Sequence, residues 1–485
     1  MEPRRVEVLV IGAGCSGIGA VIRLREAGIH DVVVLEKAAS LGGTWRENTY
    51  PGCACDVPST LYSYSFAPNP SWSRAFAGQA EILRYLEQVA RDHDVVRHIV
   101  FGAEVHAARW DDARDVWTVD TTAGRFEARS IVAAAGPLHR PSIPDLPGLA
   151  TFRGKTFHSS RWDHDYDLAG KRVAVVGTGA SAIQFVPEIQ PVVGALHVFQ
   201  RTPSWVLPKP NPKVSETAQR LFARVPAVQQ ALRGAQYGLL EAVAYGFRHP
   251  RVLHELERLA LRHLAKQIPD ATLRRALTPS FVLGCKRILL SNTYYPALSS
   301  PNATVHATAV ESVRGDTVIG ADGSIADRLD AIIFATGFHV TDPPIAERVW
   351  GQGGRRLADL WGGSPRGYMG TTVAGYPNFF LVLGPNVGTG HSSAFSIIEA
   401  QLAHISDAVA AMRARGWTRL EVRADVEAAF NDEVQTAVKS TVYNAGGCTS
   451  YYLDHNGRNS TVWPWSTTRL VERVGRFDAA DYQAR

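Results

Sequence analysis

Two stretches of this chain repeat one arrangement, and few folds accommodate it. The first is VEVLVIGAGCSGIGAVIRLREAG. An apolar run leads into Gly12-x-Gly14-x-x-Gly17, and apolar residues at helical spacing follow. A second apolar run, DVVVLEK, then carries Glu36 at its end. The other stretch is KRVAVVGTGASAIQFVPEI, with Gly177-x-Gly179-x-x-Ala182, followed by ALHVFQRTP. Strand, tight turn, helix and second strand, in that order, predict a dinucleotide-binding unit. Its glycines let backbone N–H groups approach a pyrophosphate at the helix N-terminus. A lone glycine triplet is weak evidence, but here the flanking strand and helix supply the confirming context.

The two copies differ where they would read the ribose. Glu36 stands 19 positions after Gly17, and Arg201 stands 19 positions after Ala182. An acid suits free ribose hydroxyls, whereas an arginine suits a 2′-phosphate. FAD is therefore expected in the first unit and NADPH in the second. The returns match as well. VWTVDTTAGRFEARS and DTVIGADGSIADRLD read as β-rich segments with turns. Each feeds an apolar strand and a small-residue turn: Ala134, Ala135 and Gly136 in one, Ala335, Thr336 and Gly337 in the other. Small residues there let the strand end lie close to a bound dinucleotide.

The expected fold class is α/β, with two Rossmann-like domains resembling the two-dinucleotide-binding-domain flavoproteins. Residues 1–140 and 375–485 would form a discontinuous FAD-binding domain. Residues 141–374 would form the NADPH-binding domain, with a helical insertion at about 212–284 packed on it. Near the C-terminus, YPNFFLVLGPNVGTGHSSAFSIIEAQ reads as strand, Gly-rich turn and helix. That helix N-terminus would face the flavin and stabilise its anionic reduced ring.

Composition narrows the alternatives. At 485 residues the chain is too long for one core. A net charge of +5, with no segment concentrating Lys and Arg, argues against nucleic acid as a partner. The 16 histidines lack the spacing of a metal site. Cys15, Cys53, Cys55, Cys285 and Cys448 include no Cys-x-x-Cys pair, and free thiols in a reducing compartment are expected. No apolar run reaches the roughly 18 residues of a membrane span, and the strand that opens the chain leaves no room for a signal peptide. A cytoplasmic protein without membrane insertion is the expectation.

Between the two nucleotide motifs lies FRGKTFHSSRWD, which has the form Phe-x-Gly-x-x-x-His-x-x-x-Trp-Asp through Phe152, Gly154, His158, Trp162 and Asp163. GGTWRENTYPGCACD runs from Gly42 to Asp56, and CKRILLSNTYYPAL begins at Cys285. Together these stretches resemble the signatures of the type I Baeyer–Villiger monooxygenases, from Val8 to about Trp463 and Trp465. The resemblance implies that NADPH reduces FAD, that the reduced flavin and O2 give an anionic C4a-peroxyflavin, and that this species attacks a small-molecule ketone to yield an ester or lactone. It implies that Arg287 provides the cation beside the oxyanion, with Asp56 holding and tuning it.

By the same resemblance Gly43, Thr44, Trp45, Tyr62 and Val105 belong to the flavin side, with Asn386 and His391 on the Gly-rich turn. Thr178, Gly179, Ser181, Gln184 and Thr202 support the nicotinamide cofactor, and Lys286 grips the 2′-phosphate with Arg201. His158 and Trp162 would pin the connection between domains rather than act as acid or base. CTSYYLDHNGRNSTVWPW would wall the substrate pocket or form a surface loop anchored by aromatics. The rival is a flavin monooxygenase that oxygenates nitrogen or sulfur, which has no need of an arginine beside an anion. A disulfide reductase lacks its cysteine pair here.

Overall fold

In the computed structural model, which describes residues 2–485, the two glycine stretches fold into two copies of one sheet. In the first, β1 (Arg4–Ile11) passes through the turn into helix α1 (Cys15–Glu26) and returns as β2 (Val32–Glu36). β3 (Ile99–Phe101) extends the sheet beside β2. The antiparallel set β4 (Val105–Asp111), β5 (Val116–Thr121) and β6 (Gly124–Ala133) brings β6 back parallel to β1. Val8, Leu9 and Val10 are buried on both faces. That is why β1 reads as a continuous apolar run rather than an alternating one.

The second sheet contains β7 (Lys155–His158), β8 (Arg172–Val176) and β9 (Ala195–Phe199). Its order is Ala303–His306, β9, β8, Ala331–Phe334, β7, all parallel. β8 thus sits between β9 and Ala331–Phe334 as β1 sits between β2 and β6. The duplication extends to single atoms. Gly12 and Gly177 both have φ of +103°. A Cβ on Gly12 would lie 2.7 Å from the Ala134 carbonyl oxygen, and one on Gly177 would lie 2.6 Å from that of Ala335. Only glycine permits both the backbone conformation and the approach of the returning strand.

Three expectations need correction. The return to the first domain comes before residue 375. Val349–Trp350 pairs with β4, and Leu357 and Trp361 join the core layer of Trp110 and Trp117. A two-residue strand beside Gly-rich sequence carries no periodicity to announce it. The helical insertion does not pack on the second domain alone. Helix Pro226–Arg248 turns Arg233 to the Thr60 carbonyl at 2.7 Å and Gln229 to the Asn69 carbonyl at 2.6 Å, both in the first domain. Finally, the cysteines are not all free. Cys285 and Cys448 form a disulfide across 163 positions, leaving Cys15, Cys53 and Cys55 as thiols. Spacing gives no sign of a pair brought together only by the C-terminal segment. Among the described residues, no helix is long and apolar enough to cross a membrane, and no group of His, Cys, Asp or Glu could hold a metal.

Candidate active site between the two sheets

The loop after β2 runs along the first glycine turn: Gly42 N donates to the Ala13 carbonyl at 2.9 Å, and Gly43 packs on Gly14. Glu36 Oε2 accepts from Ala13 N at 2.9 Å and Oε1 from Ala38 N at 3.0 Å, with Arg46 Nη1 3.2 Å from the same Oε1. The chain entering β4 is tied to the same residue by Ala103 N donating to the Glu36 carbonyl, which brings buried Val105 to this end of the sheet. Thr44 and Trp45 open a short helical turn. The Trp45 indole donates to the Tyr62 hydroxyl at 3.1 Å, and Tyr62 stacks edge-on against Phe395 at 4.9 Å.

Several polar atoms of the Gly-rich turn are buried without partners. Asn386 has φ of +55°, and its amide donates to the Asn459 and Val462 carbonyls at 2.9 and 3.1 Å. Its Oδ1 is left bare, as are Thr389 Oγ1, His391 Nδ1 and Ser392 Oγ. Buried polar groups are otherwise paired in folded proteins. A cluster of orphans beside an aromatic pair fits a flat, heteroatom-rich ring such as flavin.

In the second domain Thr178 Oγ1 donates to the Thr202 carbonyl at 3.5 Å, and Gly179 is open to solvent on its Cβ side. Arg201 is exposed at the end of β9. Burial holds Lys286 below the usual lysine pKa, and the positive charge of Arg201 adds to the effect. Neither cation pairs with a carboxylate among the described residues, so two neighbouring positive groups are left for an anion such as a 2′-phosphate. Gln184 has a different place from the expected one. Its amide bridges the domains, accepting from the Tyr50 hydroxyl at 3.0 Å and Ala54 N at 3.3 Å and donating to the Ala54 carbonyl at 2.9 Å. Ser181 lies at the start of the same helix.

That clamp presents Asp56 to Arg287. Arg287 Nε and Nη2 donate to Asp56 Oδ2 and Oδ1, both at 2.6 Å. The side chains are 29% and 23% exposed, so the pair is half-buried rather than sealed in the core. Burial alone would raise the Asp56 pKa, but the Arg287 guanidinium more than offsets it and holds the carboxyl below its ordinary value. Asp56 in turn raises Arg287 well above the ordinary arginine value, against the opposing effect of burial. Tyr451 and Tyr452 also lie within electrostatic reach of the guanidinium.

His158 ends β7 beside the segments around Ser142 and Phe338, which run between the domains and meet at a bridge of Pro141 with Phe338. Thr336 Oγ1 donates to the Ser142 carbonyl at 2.5 Å, Ser142 N donates to the Gly337 carbonyl at 2.9 Å, and the His158 ring packs on Phe338 at 5.5 Å. His158 Nδ1 accepts from Ser160 N at 3.1 Å. Burial lowers its pKa to about 4, so the imidazole is neutral at working pH. Trp162 packs between Phe157 and Phe185, and Asp163 pairs with Lys155 at 2.6 Å.

Residues 9–230 match the family model described as pyridine nucleotide-disulphide oxidoreductase. A Baeyer–Villiger monooxygenase of Streptomyces coelicolor is 51% identical over 480 residues, which is 99% of this chain and 92% of that protein. This chain belongs to the Baeyer–Villiger monooxygenases. The cyclohexanone monooxygenase of Rhodococcus sp. Phi1, solved bound to NADP+, superimposes with a TM-score of 0.87 at 29% identity, covering 100% of both chains. OTEMO in complex with FAD and NADP gives a TM-score of 0.87 at 26% identity, also over 100% of both chains.

Two features of this Baeyer–Villiger monooxygenase have no counterpart in its sequence signatures. Glu241 of the insertion reaches His391 Nε2 at 3.1 Å and accepts from Thr467 N at 2.9 Å, which ties the insertion to the Gly-rich turn. Those bonds hold its carboxyl at about 2 despite burial. Lys209 lies beside the Asp56 loop and donates to the Cys55 carbonyl at 3.4 Å. Helical spacing marked Glu241 only as one more polar position, and PKPNPK around Lys209 reads as a plain loop.

Proposed function

We propose that this protein inserts one atom of O2 beside a ketone carbonyl to give an ester or lactone, and that Arg287 is the cation serving that step. Bound FAD would supply oxygen activation and bound NADPH the hydride. Glu36 and the glycine turn at Gly12 would hold the first cofactor, with Trp45, Tyr62 and Asn386 around its ring. Arg201, Lys286, Thr178 and Thr202 would hold the second. A ketone under nucleophilic attack develops charge on its carbonyl oxygen, and a fixed cation in a water-poor site stabilises that oxygen more than the neutral carbonyl.

The observation that carries this reading is the two-point Arg287–Asp56 pair, which joins the loop of the first domain to the segment after the insertion. It fixes the plane of the guanidinium and leaves Nη1 free of Asp56. Oxygenation of nitrogen or sulfur makes no comparable demand for a cation. A cytoplasmic site of action belongs to the same reading, since NADPH is supplied there.

Arg287→Ala tests the assignment. NADPH should still bleach the flavin, followed by stopped-flow absorbance, while ester formation falls at least about hundredfold, the scale of losing an oxyanion donor. Product analysis showing normal ester yield would remove Arg287 from the role.

A further inference from the structure

Arg287 spends Nε and Nη2 on Asp56, so the pair as it stands is electrically neutral. A neutral pair is a weak source of field for a developing oxyanion, and an arginine that turned toward substrate would leave a half-buried carboxylate without its partner, which is costly. The third charge at this place is Lys209. It follows the short strand Val206–Leu207, whose parallel partner Leu289–Leu290 comes just after Arg287. Its N–H donates to Asn292 Oδ1 at 3.0 Å, and its carbonyl accepts from Asn292 Nδ2 at 2.8 Å. The backbone of Lys209 is thus fixed against the segment that carries the arginine.

Its side chain reaches the other way. Nζ donates to the carbonyl of Cys55, the residue before Asp56, and lies 5.4 Å from the Phe76 ring centre. No ion pair joins Lys209 to a carboxylate among the described residues. A partly buried ammonium with one weak carbonyl partner and a ring face is under-satisfied, and such groups are uncommon without a use. The acid within its electrostatic reach is Asp56, which Arg287 already holds. Burial lowers the Lys209 pKa from its ordinary value, with Asp56 opposing, and Lys209 in turn helps Arg287 keep Asp56 ionised.

We propose that Lys209 is a positioning residue: held at the Cys55 carbonyl next to Asp56, it is the cation that takes up the Asp56 carboxylate when Arg287 leaves it, so that the guanidinium can turn to the reacting ketone while the cluster keeps a net positive charge. This rests on the role given to Arg287 above. The titratable groups facing Lys209 are Asp56, Cys53 and Cys55 on the loop, and Arg287 with Tyr451 and Tyr452 lies beyond the carboxylate. Of these, Cys53 is pushed up by burial to about 11 and Cys55 higher still. An alkaline loss of function is assigned to Lys209 by its displacement in Lys209→Arg and its absence in Lys209→Met.

The test uses flavin-loaded Lys209→Met and Lys209→Arg with cyclohexanone, or with the fastest ketone from a cyclic, linear and aromatic panel. Anaerobic flavin reduction by NADPH should stay within about twofold of the parent in both. In Lys209→Met, ester formation should fall about tenfold, one step removed from losing an oxyanion donor. H2O2 release should rise, and the alkaline limb of the ester-yield profile should vanish. Lys209→Arg should recover most of the ester yield and move that limb to higher pH. A Lys209→Met protein with normal coupling and an unchanged alkaline limb would overturn the proposal. Should Lys209→Met fail to take up flavin, Lys209→Arg decides alone, and an unmoved limb overturns it. Arg287→Ala run in parallel separates the two claims. If it still makes ester, the parent reading fails. If it makes none while Lys209→Met is normal, only the role of Lys209 fails.

Discussion

Arg201 and Lys286 lie on different segments, and each lacks a carboxylate partner among the described residues. Arg201 was legible in the sequence, because a βαβ unit of fixed geometry sets the ribose-reading residue at a constant offset from the turn. Glu36 stands at the same offset in the first unit. Lys286 became legible only through a family pattern. Lys209 was not legible at all, since nothing local marks a lysine whose relevant neighbour, Asp56, belongs to another domain. The paired cations make a specific prediction. Arg201→Ala should raise the KM for NADPH about tenfold or more, the range of a lost charge-assisted hydrogen bond. The KM for NADH should change little. Steady-state kinetics with both nucleotides check it, and an equal rise in both would assign Arg201 to something other than the 2′-phosphate.

Among the elements, those read best were the ones whose period matches their burial. Val8–Ile11 of β1 and Val173–Val176 of β8 are continuous apolar runs because both faces of each sheet are covered there. Helix Pro226–Arg248 was visible from its spacing, but its partner was not. Arg233, Gln229 and Glu241 reach the first domain, and a helical pattern says which residues share a face without saying what that face meets. The segment around Cys448 shows the same limit. It carries Tyr451 and Tyr452 near Arg287, and the disulfide to Cys285 fastens it to the stretch containing Lys286 and Arg287. Tandem mass spectrometry of unreduced protein should find one bridge, Cys285 to Cys448, and three free thiols. Cys448→Ser should lower the unfolding midpoint, because a crosslink across so long a loop contributes up to about 5 kcal/mol in the chain-entropy model. It should also loosen the tyrosine wall, raising the KM for ketone more than that for NADPH. An unchanged midpoint together with unchanged ketone affinity would leave the bridge without a structural role.

At the scale of the whole molecule, the two sheets repeat one central unit of strand, glycine turn, helix and returning strand, and the chemistry belongs to what joins them. The linking segments meet at Pro141 and Phe338 beside His158, which is neutral and packed, and the loop from Gly42 to Asp56 leaves the first domain to dock on helix Ala182–Ile189 of the second. Gly52 sits at that contact with φ of +74°, and a Cβ there would lie 2.6 Å from the Gln184 carbonyl oxygen. Gly52→Ala would therefore impose a left-handed conformation on an ordinary residue, at about 1–2 kcal/mol, and would push the loop off the helix backbone, which cannot yield as a side-chain tip would. The loop carries Asp56, so the displacement reaches Arg287 without touching either cofactor cradle directly. FAD content should stay near that of the parent, because the first glycine turn and Glu36 are untouched. NADPH oxidation should continue, but a larger share of it should end as H2O2 and less as ester, since the cation would no longer be held where the ketone oxygen gains charge. Measuring H2O2 and ester per NADPH consumed, alongside flavin content, checks the whole chain of reasoning. A Gly52→Ala protein as tightly coupled as the parent would mean that the docking of the loop does not set the position of Arg287.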